Sequence, residues 1–124
     1  MALPLTYSLD ERTSGRIVGT ITEEDGVTPI PAGTLTTLVF SLYADDGSNT
    51  VINGRSDVNI LNTGAGVVTA GGILTLTLAP ADNQILNDAL PFERHILLLE
   101  WTWGSGKAGN HELILAVRNL QLVP

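Results

Sequence analysis

The sequence predicts an all-β fold, an antiparallel sandwich of seven to eight short strands with one helical turn. Three observations carry this. Ile73–Ala79 alternates strictly, Leu74, Leu76 and Leu78 against Thr75 and Thr77, which is the period of a strand with one buried face. Clusters of Gly, Asn, Asp and Pro recur between short apolar runs, and no long stretch keeps a helical period. Residues 92–103 read F-E-R-H-I-L-L-L-E-W-T-W and hold both tryptophans and four consecutive aliphatic residues, as expected of a central strand.

Taken in order, residues 1–14 carry Pro4 and a polar run from Ser8 to Ser14, which reads as an N-terminal arm, flexible or bound to a partner. Residues 15–124 are then the sandwich domain. Gly15–Glu23 forms a strand, with Ile17, Gly19 and Ile21 on one side and Arg16, Val18 and Thr20 on the other, ending in the acidic turn Glu23–Gly26. Pro29 and Pro31 exclude a helix or central strand, so this segment is an extended connection. Leu35–Ala44 is a strand with Leu38, Phe40 and Leu42 inward, followed by an Asp-Asp-Gly turn. Thr50–Asn53 and Asp57–Asn62 read as a strand interrupted near Gly54, and Val67–Thr69 as a short one.

After Ile73–Ala79, the segment Pro80–Leu86 reads as one helical turn that crosses between sheets, with Ile85 and Leu86 plugging an end of the core. Gly104–Asn110 is a glycine-rich hairpin loop, and His111–Leu120 the last strand, with a tail tied down behind it. Strands at this spacing make the sandwich immunoglobulin-like.

Composition narrows function. A chain of 124 residues can bury one core, and it contains no cysteine, which removes disulfide frameworks and thiolate metal sites. The net charge is −7, from thirteen acids and six scattered bases, which disfavours binding to nucleic-acid backbone. No apolar run approaches the roughly 18 residues of a membrane span, and the N-terminus lacks the pattern of a secretory leader, so synthesis and folding in a cytoplasm are expected.

Chemistry finds little footing. His95 and His111 are the only candidate bases, and no serine lies in a Gly-x-Ser-x-Gly elbow; Ser105 sits in a bare Gly-Ser-Gly. Glu23-Glu24-Asp25 and Asp45-Asp46-Gly47-Ser48-Asn49 offer oxygen ligands without calcium-loop spacing. Gly-Ser-Gly-Lys at 104–107 lacks the phosphate-loop pattern. Trp101 and Trp103 could stack on sugar rings, but they share a face with Leu97 and Leu99, which points to core or interface. The expectation is therefore no catalytic, cofactor or metal residue.

Surface physics remains. Ile96 and Leu98 lie on the opposite face of their strand from Leu97 and Leu99, and a two-layer sandwich buries only one face of each sheet. The surplus calls for a cover: a loop, the N-terminal arm or another subunit. The expected interface residues are Leu3, Leu5 and Tyr7 of the arm and Ile96 and Leu98 of the strand.

Several motifs add a family resemblance. They are Gly19-Thr-Ile-Thr-Glu-Glu-Asp-Gly26, Pro29-Ile-Pro-Ala-Gly-Thr-Leu35, Ser41-Leu-Tyr43, Ile52-Asn-Gly-Arg55 and Asp57-Val-Asn-Ile-Leu-Asn62. Further along come Leu74-Thr-Leu-Thr-Leu-Ala-Pro-Ala-Asp-Asn83, Glu93-Arg-His95, Trp101-Thr-Trp103, His111-Glu112 and Val117-Arg-Asn-Leu120. From about residue 15 onward the chain resembles the small immunoglobulin-like structural proteins of tailed bacteriophage virions, and it is similar to domains at the base of baseplate and fibre proteins. The resemblance implies a non-enzymatic virion component that decorates the capsid or sits at the head–tail neck. Its partners would be major capsid, portal, neck or tail proteins and copies of itself, with no direct nucleic-acid or membrane contact and no cofactor. The alternative expectation is a carbohydrate-binding or host-attachment module using Trp101 and Trp103.

Overall fold

The computed structural model describes residues 5–45, 47–86 and 91–119, with side chains from Tyr7 onward. Eight strands are described: β1 (Leu5–Asp10), β2 (Gly15–Thr20), β3 (Leu35–Ala44), β4 (Val58–Asn59), β5 (Gly66–Val68), β6 (Ile73–Leu78), β7 (Phe92–Trp103) and β8 (Lys107–Arg118). A 3₁₀ turn at Pro80–Asn83 separates β6 from the second half of the chain. The strands form a five-stranded sheet in the order β1-β8-β7-β3-β4 and a three-stranded sheet in the order β2-β6-β5. This is the all-β sandwich that the alternation predicts.

The long strand β7 lies at the middle of the larger sheet, antiparallel to β3 on one side and β8 on the other. Its alternate residues Leu97, Leu99, Trp101 and Trp103 are buried, while Ile96 and Leu98 are half-buried on the outer face. Leu38, Phe40 and Leu42 of β3 and Leu113, Leu115 and Val117 of β8 join the same core. The smaller sheet closes it with Ile17, Val68, Leu74, Leu76 and Leu78. The period-two pattern therefore sorts side chains between inner and outer faces, broken in β3 by the register shift between Leu35 and Thr37.

Several elements differ from the sequence-based expectation. Residues 5–10 of the expected arm form β1, the only parallel pairing described, with Leu5 opposite Leu113 and Asp10 opposite Arg118. Tyr7 and Leu9 alternate inward and pack on the core, and Arg118 Nε holds Asp10 Oδ1 at 2.8 Å, so the apolar period outweighs the polar look of this segment. The last hairpin loop is shorter than expected, because β8 begins at Lys107 and Lys107–Asn110 pairs with Glu100–Trp103. The interrupted strand after β3 shrinks to a single bridge, Tyr43 to Val51, and the two residues of β4. Ile85 packs on the core as expected, but Leu86 is 44% exposed and plugs nothing. Residues 120–124, the tail expected to be tied down, lie outside the described residues.

One polar node stitches the crossing turn to the larger sheet. Asp82 is fully buried at the third position of the 3₁₀ turn, where its Oδ2 accepts the Ala79 N–H at 2.7 Å. Its Oδ1 accepts Asn53 Nδ2 and Arg55 Nε, both at 2.8 Å. The Arg55 guanidinium also lies 5.4 Å from the centre of the Phe40 ring, and the Arg55 carbonyl accepts the Leu42 N–H. Burial alone would push the Asp82 carboxyl up; the bonds from Arg55, Asn53 and Ala79 outweigh it and hold the group below its ordinary value of 3.8. A carboxylate with a depressed folded pKa stabilises the fold fully above the unfolded value and loses that contribution as pH falls through the folded one. Asp82→Asn is therefore expected to lower unfolding free energy by about 1–3 kcal/mol at pH 7, since it takes the charged partner from the half-buried Arg55 guanidinium. In urea titrations across pH, the gap between wild type and variant should narrow below about pH 4. A gap that stays constant from pH 7 to pH 2 contradicts the assignment.

Candidate functional site

The structure places the residues that sequence reasoning weighed for chemistry in separate settings. His95 is fully buried on the inner face of β7, and its Nε2 lies 2.6 Å from Oε2 of Glu93, two residues before it on the same face. That Glu93 oxygen also accepts the Leu86 N–H at 2.9 Å. The pair thus ties the end of the crossing segment to β7 and is sealed from substrate. His111 stands opposite Leu99, on the inner face of β8 and half-buried. Ser105 is exposed in the turn between β7 and β8, and Gly104–Gly106 forms a hairpin rather than a phosphate cradle. Among the described residues, no group of three His, Asp or Glu side chains converges as metal ligands. No described helix is long and apolar enough to cross a membrane.

The acidic loops organise their own backbone. Asp25 Oδ1 accepts the N–H groups of Val27 and Thr28, both at 2.8 Å, and its other oxygen accepts the Thr28 hydroxyl. These bonds, the Thr28 hydroxyl foremost, bring its pKa down to about 2. Asp45 faces Arg94 across 3.5 Å on the surface.

Both tryptophans lie in the core, Trp101 at 8% and Trp103 at 4% exposure, so neither presents an indole face to a sugar ring. The physical reason is their register: both sit on the inward phase of β7, continuing Leu97 and Leu99. Burying an indole outweighs leaving its N–H unmet, which costs about 1–3 kcal/mol, and Trp101 Nε1 has no hydrogen-bond partner. The ring lies over Gly109, its cross-strand neighbour: a Cβ built there would approach Nε1 to 2.7 Å.

The expected interface residues divide between two places. Leu3 lies outside the described residues, and Leu5 is described only as the first residue of β1. Tyr7 faces inward against the core, not outward. Ile96 and Leu98 do share an outer face, where register sets Ile96 between Tyr43 and Ile114, and Leu98 between Ser41 and Glu112. This apolar stripe continues to Val39 and Ala116 and is flanked by Arg94, Glu100 and Glu112. Burial pushes the Tyr43 hydroxyl pKa up, and the carboxylates of Glu112, Asp45 and Glu100 add to it, so the surroundings of the stripe are electronegative.

Two surfaces escaped sequence reasoning. The outer face of the smaller sheet exposes Val18 (53%), Val67 (58%) and Ile73 (44%), with Val18 and Val67 both opposite Thr75. A cleft of about 590 Å³ opens between β2 and β8, lined by Tyr7, Ile17, Leu99, Trp101, Trp103 and Leu113 among others. The available signal was Gly19, a missing side chain at an inward position of an otherwise alternating strand.

Against known proteins, no protein-family model matches this chain, and a search of curated proteins finds no match to it. The fold is an all-β sandwich of a five-stranded and a three-stranded sheet, and the geometry of its surfaces is what bears on function.

The Trp101–Gly109 contact makes a direct prediction. Gly109→Val should displace the indole, lower unfolding free energy by about 1–3 kcal/mol and shift tryptophan emission to the red. Unchanged emission and stability would contradict the contact.

Proposed function

We propose that this chain is a non-enzymatic structural component of a tailed-phage virion, docking in multiple copies on capsid or head–tail neck proteins as a decorating or connecting domain. The observation that carries the reading is the outer face of the five-stranded sheet. Tyr43, Ile96, Leu98 and Ile114 form a half-buried apolar stripe with Glu100 and Glu112 at its margin. A contiguous apolar strip on a rigid sheet, rimmed by charge, has the form of a protein interface. The resemblance of the turn and strand motifs to small virion proteins supports the location, and the low share of charged residues, 15%, suits a surface largely covered in an assembly.

Virions purified from the phage or prophage that encodes the chain should contain it in stoichiometric amounts, resolved by gel or mass spectrometry; absence from the particle would sink the proposal. Leu98→Arg should reduce incorporation by about tenfold, while changing the stability of the isolated domain by less than about 1 kcal/mol, because the residue is outside the core.

A further inference from the structure

Strand β2 is an edge of the smaller sheet. The Ile21 N–H donates to the Gly72 carbonyl at 2.9 Å, which sets the phase of the antiparallel β2–β6 register. Ile17, Gly19 and Ile21 therefore turn their backbone groups toward β6, and Arg16, Val18 and Thr20 turn theirs away from the sheet. Among the described residues no strand lies on that side of β2. In an immunoglobulin-like sandwich a further strand ordinarily pairs along this edge. Here the N-terminal strand β1 pairs with β8 in the opposite sheet, so three strands cover five.

The cleft lies where that cover is missing, along β2 from Ile17 to Gly26 and down to Leu99, Trp101 and Leu113. Gly19 faces it with no side chain, and a Cβ added there would meet nothing within 4 Å. Glu23, Glu24 and Asp25 line one end of the cleft, answered by Lys107, which lies 3.5 Å from Glu24.

We propose that this edge takes an extended segment of a partner protein by β-strand addition. The backbone of the segment pairs with Arg16, Val18 and Thr20. Apolar side chains at alternate positions enter the space over Gly19, and a basic residue lies at the acidic end. A compact small molecule would use the apolar floor but leave the row of edge N–H and C=O groups unused, so an extended peptide is the occupant that matches all the features. The inference goes beyond the virion reading and stands or falls without it.

The test uses the isolated full chain and a random displayed peptide library. Selection should enrich peptides with apolar residues at alternate positions and Lys or Arg toward one end. Adding an enriched peptide should slow amide exchange at Val18 and Thr20 and shift tryptophan emission. Gly19→Leu, which fills the cleft, and Val18→Pro, which removes an outward donor on an edge where proline is tolerated, should each weaken binding by about tenfold or more. The proposal is overturned by a library that enriches nothing, by peptides that bind both variants as well as wild type, or by Val18 and Thr20 amides already slow in the free chain. The last result would mean that the chain's own residues occupy the edge.

Discussion

The alternation of β7 between an inward and an outward phase is the constraint on which the rest depends. Its inward residues supply the middle of the core, and its twelve residues set the length of the sheet they span. Each fully buried leucine contributes about 1.5–3 kcal/mol of transfer free energy. A one-residue slip of β7 against β3 or β8 would turn Leu97, Leu99, Trp101 and Trp103 outward together, so register is strongly determined. The buried pair of Glu93 and His95 belongs to the same phase, a polar end on an apolar series.

The polar groups inside the protein serve connections. Asp82 has its bonds met by a backbone N–H, an amide and a guanidinium drawn from two separate segments, which locates the crossing turn relative to β3. Asn83 beside it donates to the Thr13 carbonyl at 2.7 Å, and its own carbonyl accepts the Arg12 N–H, so the same turn anchors the link between β1 and β2. One short 3₁₀ turn thereby holds two crossings between the sheets and the loop between β3 and β4. Buried polar groups arranged in this way confer uniqueness on the connections more than net stability.

The two sheets are unequal, and the two surfaces on which the proposals rest differ accordingly. Five strands against three leave an outer apolar stripe on the large sheet and an open edge on the small one. The two surfaces differ in kind: the stripe is a flat side-chain surface with an acidic margin, whereas the edge offers backbone groups beside a cleft. A domain with both can engage two neighbours at once, as an assembly component must.

The sequence by itself determined which residues face inward. Period-two alternation in 38–44, 73–78, 92–103 and 113–118 is a local property, set by the pleat of each strand, and it holds in the fold. It also marked Ile96 and Leu98 as facing away from the core. Tertiary structure alone decided which strands lie side by side. That β1 joins β8 rather than β2 depends on how Tyr7 and Leu9 pack and on the Asp10–Arg118 bond, contacts between residues more than a hundred positions apart. The roles of Asp82, Arg55 and Asn53 were likewise illegible, since a loop acid reads as solvated until its partners arrive from elsewhere. Gly19 shows both sides: its missing side chain is written in the strand, but the cleft it opens depends on there being no strand beside it among the described residues.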